Sequence, residues 1–207
     1  KAIGTESDSI IFDNYDDSLR WRGFTLENVT DETEFEYVRI SGAEKDDGGG
    51  MYLWSSNPTL THVTISGNTA GHKGGGMYLS YSNPTLTHVT IVNNTADNGG
   101  GMYLYDSNPT LIHVTITDNT SDSNGGGMDL YESNPILTHV TIANNTAAYG
   151  GGIFLGYSNP ILTHVTISDN TGYYGGGMGL FSSNPTLTNS ILWDNSPESI
   201  YVYEDQE

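Results

Sequence analysis

The chain repeats itself six times. Gly triplets begin at Gly48, Gly74, Gly99, Gly125, Gly150 and Gly175, and Ser-Asn-Pro triplets begin at Ser56, Ser82, Ser107, Ser133, Ser158 and Ser183. Both series advance by 25 or 26 residues per step. A fixed period in this range signals stacked supersecondary units, none of which buries its apolar face without a neighbour. The expectation is one continuous solenoid rather than a globular domain.

Inside a unit the apolar residues alternate: Met77 and Leu79, then Val89 and Ile91, with Tyr78 and Thr90 between them. Alternation rich in Thr, Val, Ile and Tyr is the pattern of half-buried strands. Gly triplets and Asn-Pro in every unit exclude a helical repeat. Proline has no amide hydrogen to give a ladder, so Pro58, Pro84 and their equivalents belong in turns. Short parallel strands joined by turns and stacked at ~4.8 Å form a parallel β-helix, and the handedness of parallel crossovers predicts a right-handed one.

The expected organisation is all-β: a cap and irregular first coil over 1–47, six full coils over 48–199 and a tail over 200–207. In the coil that begins at Gly74, a strand is predicted over 75–79, a turn over 82–84, a second strand ending Val89-Thr90-Ile91, and a turn at Asn93-Asn94. Met77, Leu79, Val89 and Ile91 then face inward. Leu86 has the wrong parity to share the interior with Val89, so a bend or bulge is expected between them.

The chain carries 25 acidic residues against six Lys plus Arg, a formal charge of −19. Nothing supplies a basic footprint, which argues against nucleic acid and anionic membrane as partners. There is no cysteine, so disulfides and Cys-based zinc or nucleophile chemistry are excluded. No apolar run approaches the ~18 residues of a membrane-spanning helix, and Lys1-Ala2-Ile3-Gly4 does not read as a signal peptide.

Repetition turns single residues into ladders. Asn68, Asn94, Asn119, Asn145, Asn170 and Asn195 share one position. Asn tolerates the left-handed turn conformation, and its amide both donates and accepts, so the reading is a structural ladder along the axis. The sequons at Asn28, Asn93, Asn119 and Asn144 are glycosylation candidates that arise in part from the same ladder.

Three outward series are candidate sites. His62, His88, His113, His139 and His164 each precede a buried valine, and imidazoles at strand spacing are candidate ligands for Zn²⁺ or Cu²⁺ or simply a copied polar residue. The first strand of each coil presents Tyr52, Tyr78, Tyr103, Asp129, Phe154 and Gly179, with Trp54, Ser80, Tyr105, Tyr131, Gly156 and Phe181 two residues on, and Tyr81, Tyr149, Tyr157, Tyr173 and Tyr174 lie at adjoining turns. Exposed rows of rings suit sugar rings or a second subunit, against the plainer reading of cross-strand stacking. Asp106 and Glu132, with Asp129 nearby, form the acidic series, a candidate Ca²⁺ site or a solvated one.

Gly75-Gly76-Met77 and Ile65-Ser66-Gly67-Asn68, repeated in each coil, and the closing Asn189-Ser190-Ile191-Leu192-Trp193-Asp194-Asn195-Ser196-Pro197 carry a resemblance. The stretch 48–203 is similar to secreted and surface-anchored bacterial right-handed β-helix proteins of the pectin-lyase-like superfamily, and resembles the repeats of polymorphic outer-membrane proteins. The resemblance implies fold and an extracellular or cell-surface location. It leaves function open, because the same coils carry lyases, hydrolases, adhesins and fibres. A lyase needs a base such as Lys or Arg, and beyond the first acidic turn the solenoid holds only Lys73; a hydrolase needs two carboxylates, for which Asp106, Asp129 and Glu132 are candidates.

The favoured expectation is a structural or adhesive module. It stacks head to tail through Ile10-Ile11-Phe12 and the strand-like tail, or contacts surface glycans, and requires no cofactor beyond a candidate calcium ion. A carbohydrate-binding or polysaccharide-degrading protein is the alternative.

Overall fold

The structure is a computed structural model and describes residues 1–14 and 20–203. Every regular element in it is a strand, and the named strands pair in parallel. Three sheets run along the solenoid: one of eight strands, one of fourteen and one of four.

In the coil from Gly74, Met77–Ser80 belongs to the eight-stranded sheet, Thr85–Thr87 and Thr90–Val92 to the fourteen-stranded sheet, and Thr95–Ala96 to the four-stranded sheet. Identical positions stack on one another. Met51, Met77, Met102, Met128, Ile153 and Met178 form one column, and Leu60, Leu86, Leu111, Leu137 and Leu162 form another. These side chains are fully buried and make one continuous core. Each such Leu or Met contributes about 1.5–3 kcal/mol by leaving water.

The parity break at Leu86 is resolved by a single residue. His88 has φ of 53°, and Leu86 and Val89 on either side of it are both buried. Its equivalents His62, His113, His139, His164 and Asn189 do the same. Left-handed residues also mark the corner before Ser-Asn-Pro (Ser55, Tyr81, Asp106, Glu132, Tyr157, Ser182). The start of each Gly triplet is left-handed too. Gly74 has φ of 66°, and a Cβ on the next residue, Gly75, would sit 2.4 Å from the Gly100 carbonyl oxygen. The triplet is therefore required by backbone approach between coils.

The Asn ladder exists, with a correction to its conformation. The left-handed residue is the one before each ladder Asn: Gly67, Asn93, Asp118, Asn144, Asp169 and Asp194. The ladder Asn itself turns its amide inward. Asn94 Nδ2 donates to Asn119 Oδ1 and to the Ile65 carbonyl, both at 3.0 Å. The backbone N–H of Asn94 donates to the same Asn119 oxygen at 2.9 Å. The pattern runs from Asn68 to Asn195. A second buried ladder that the sequence reading did not anticipate joins the serines of Ser-Asn-Pro: the Ser82 N–H donates to Ser107 Oγ at 3.0 Å, and Ser82 Oγ donates to the Ser80 carbonyl at 2.8 Å.

Both ends depart from expectation. Residues 24–47 already form a coil, with Phe24 over Met51, Phe35 over Leu60 and Glu44 over Thr69, and its irregularity is a register shift between Lys45 and Asp47. Ile10–Phe12 is not a free strand. It pairs with Glu34–Ser41, as does Ala2–Ile3, and with Phe12, Trp21, Phe24 and Phe35 in mutual ring contact it closes the first end. At the other end Ile200–Tyr203 is the eighth strand of its sheet rather than a tail. Its interior positions, Ile200 and Val202, are 44% and 62% exposed, because no further coil covers them among the described residues.

Candidate functional site

The outer face of the eight-stranded sheet carries the two expected columns, and they differ in kind. In the first, Tyr52, Tyr78 and Tyr103 are in ring contact at 5.1 and 5.4 Å. Side chains of the four-stranded sheet, from Glu44–Asp47 and Thr69–Lys73, reach over them: Lys45 Nζ lies 4.7 Å from the Tyr52 ring centre and Lys73 Nζ lies 4.6 Å from that of Tyr103. Tyr103 is only 7% exposed and Asp129, its register partner, 4%. The expectation of an open surface at these two residues is therefore overturned. Burial is the first cause that raises the Tyr103 hydroxyl pKa, with the Asp129 charge second. Burial pushes the Asp129 carboxyl up to about 7, and the Lys73 ammonium pulls it back only in part. Further along, Phe154 meets Tyr203, and Tyr203 meets Tyr149 and Tyr201.

The second column is open and continuous. Two of its positions have no ring, Ser80 and Gly156, and in those two coils the following corner residue is tyrosine, Tyr81 and Tyr157. Each of the six coils from Gly48 onward thus gives one aromatic to a single ribbon. Trp54, Tyr81, Tyr105, Tyr131, Tyr157 and Phe181 follow one another at ring separations of 5.8, 5.5, 5.9, 5.7 and 5.2 Å. Four of the five contacts are edge-on, whereas Tyr105 and Tyr131 are parallel within 8°. Trp54, Tyr81, Tyr131 and Tyr157 are 38–49% exposed. Where the column supplies its own ring, the corner residue is small or acidic: Ser55 after Trp54, Asp106 after Tyr105, Glu132 after Tyr131 and Ser182 after Phe181. Sequence reasoning placed Tyr81 and Tyr157 at turns without joining them to the row. The signal was present as a complementarity between adjacent repeat positions, Ser-Tyr and Gly-Tyr against Trp-Ser, Tyr-Asp, Tyr-Glu and Phe-Ser.

The acidic series is brought together only in part: Asp106 and Glu132 occupy matching corners of successive coils. Asp106 and Glu132 stand at exposed corners, Asp129 is buried in the first column, and no group of three ligating side chains converges among the described residues. The histidines do form an exposed column, stacked face to face at 4.8, 5.0, 4.9 and 4.8 Å from His62 to His164. Tyr37 covers one end at 4.7 Å, and Asn189 Nδ2 lies 3.3 Å from His164 Nε2 at the other. Stacked imidazoles hold their lone pairs in near-parallel planes, which do not point at a shared metal ion. Of the sequons, Asn28, Asn93 and Asn144 are exposed. Asn119 is buried, and its amide is spent on the Ile91 carbonyl and Asn145 Oδ1, so a glycan there would break the ladder.

Fold and surface together define a parallel β-helix module of a structural or carbohydrate-related kind. The right-handed β-helix region family model matches over residues 5–147 and again over 85–207, and the chain belongs to that family. No curated protein and no solved structure matches it.

Proposed function

We propose that this chain is an extracellular, cell-surface or secreted module that holds an extended, uncharged polysaccharide along the aromatic ribbon. The observation that carries the reading is the supply of one ring per coil from two different sequence positions, with Tyr81 and Tyr157 substituting where Ser80 and Gly156 leave a gap. A core needs no such compensation on its outer face. A ligand that runs along the axis does. Over six coils the ribbon spans about 24 Å at the ~4.8 Å strand spacing, room for several sugar rings laid on ring faces and edges. Asp106 and Glu132 beside it accept hydrogen bonds from sugar hydroxyls and repel polyanions.

Affinity electrophoresis through gels containing neutral polysaccharides tests this. Tyr131→Ala and Tyr157→Ala should each weaken retardation by about 1 kcal/mol, roughly fivefold, with an unchanged circular dichroism spectrum. Equal migration of both variants and the native protein on every neutral glycan, or preference for an acidic one, overturns it. Release of reducing ends from the retained glycan would move the protein to the degrading alternative.

A second reading, end-on assembly into a fibre, is favoured by the exposed interior residues Ile200 and Val202. Head-to-tail stacking would set the Ile200–Tyr203 edge against Phe24–Glu27 of the next copy, the opposite edge of the same sheet. Concentration-dependent sedimentation that Val202→Asp abolishes supports it; a monomer at all concentrations refutes it.

A further inference from the structure

On the fourteen-stranded sheet, the strands that follow each Asn-Pro turn present two outward columns. One is Thr59, Thr85, Thr110, Ile136, Ile161 and Thr186; the other is Thr61, Thr87, Ile112, Thr138, Thr163 and Thr188. All twelve side chains are β-branched and none is charged, on a chain whose net charge is −19. Ile136 and Ile161 are each 47% exposed.

We propose that this face is an ice-binding surface, adsorbing to the ordered water lattice of a crystal. Three features point there. The first is two-dimensional regularity: the strands stay in register across all six coils with no bulge. At the adjoining corner the imidazole ring centres are evenly spaced, 4.8 to 5.0 Å from coil to coil. Across the face, alternate residues of one strand are about 6.6 Å apart. The axial repeat lies near the second-neighbour separation of water oxygens in ice.

The second is rigidity. Threonine and isoleucine have few χ1 choices. One border of the face is locked by stacked imidazoles, and the other by an outer Asn ladder in which the Asn83 N–H donates to Asn57 Oδ1 and the Asn108 N–H to Asn83 Oδ1, each at 2.6 Å. Side-chain ladders of this kind hold a many-stranded sheet against twisting.

The third is chemistry. Each position offers a γ-methyl, and nine of the twelve add a hydroxyl at a repeating spacing. The methyls hold adjacent water in cages while the hydroxyls anchor it, so the hydration layer takes the period of the sheet. A soluble glycan would want the rings and directional polar groups found on the ribbon. A protein partner would want aromatic or arginine anchors, and neither is present in the two columns.

The full chain, labelled with a fluorophore, should be concentrated on a growing ice hemisphere and should shape and slow ice growth at micromolar concentration. Thr87→Tyr and Thr138→Tyr should abolish both effects with no fall in unfolding temperature, while Tyr131→Ala on the ribbon should leave both intact. Exclusion of the native protein from ice with unaltered crystal growth overturns the proposal, whether or not the tyrosine variants fold. So does a dimer in sedimentation that Thr138→Tyr converts to monomer, because the face would then be a contact between copies.

Discussion

Asp129 sits where five neighbouring coils place tyrosine, phenylalanine or glycine, and its burial should make the whole solenoid less stable as the carboxyl ionises. Its pKa rises from an ordinary 3.8 to about 7, first by desolvation, with Lys73 opposing. Below about pH 4 the group is neutral in both folded and unfolded chains and costs nothing by this route. Between about pH 4 and pH 7 the unfolded chain releases the proton while the folded chain keeps it, so stability falls as pH rises; above about pH 7 the loss is complete. A shift of about three pKa units at 1.36 kcal/mol each gives about 4 kcal/mol.

Asp129→Asn removes the titration and keeps the shape. Urea or thermal unfolding of both proteins should show near-equal stability at about pH 4 and a variant more stable by about 4 kcal/mol at about pH 8, or roughly 10 °C in Tm for a chain of this length. The other carboxylates titrate alike in both proteins and cancel in the difference. Two stability curves that stay parallel from acid to base would mean that the folded protein solvates this carboxylate, and the burial argument would fail.

Lys73→Met keeps a stem over the Tyr103 ring and deletes the charge that lowers the Asp129 pKa, so the pH midpoint of the stability difference should move upward; an unmoved midpoint would separate Lys73 from the carboxyl. Asn119→Ala strands the Ile91 carbonyl and the donors of Asn94 that Asn119 Oδ1 accepts, at about 1–3 kcal/mol for each unpaired buried group, while Asn145 Oδ1 keeps the backbone N–H of residue 119. Chemical denaturation should show a loss on the order of 4 kcal/mol, and a cost below about 1 kcal/mol would show that water replaces the ladder.

Much of the fold was legible because repetition makes one coil's reading testable against five others. The period, the strand alternation and the inward Met77, Leu79, Val89 and Ile91 followed from spacing alone, and the parity conflict at Leu86 correctly required the bend that His88 supplies. The irregular ends were less legible: Phe24–Asp47 lacks the Gly triplet and the ladder Asn, yet its apolar positions still stack in register on the next coil. Which outward side chains meet solvent was legible only in part: the histidines are exposed as their parity predicts, but the tyrosines are not alike. Tyr103 and Tyr131 both alternate outward, but Lys73, at the end of strand Thr69–Lys73, lies over the ring of one, while the other is 38% exposed. By itself the sequence determined the solenoid, its period and its inward face, because these rest on local periodicity and nearest-coil packing. Only the tertiary structure decided the buried carboxylate, the unbroken aromatic ribbon and the closed first end, because each depends on how one corner of a coil folds over its neighbours, a contact that no spacing within a repeat records.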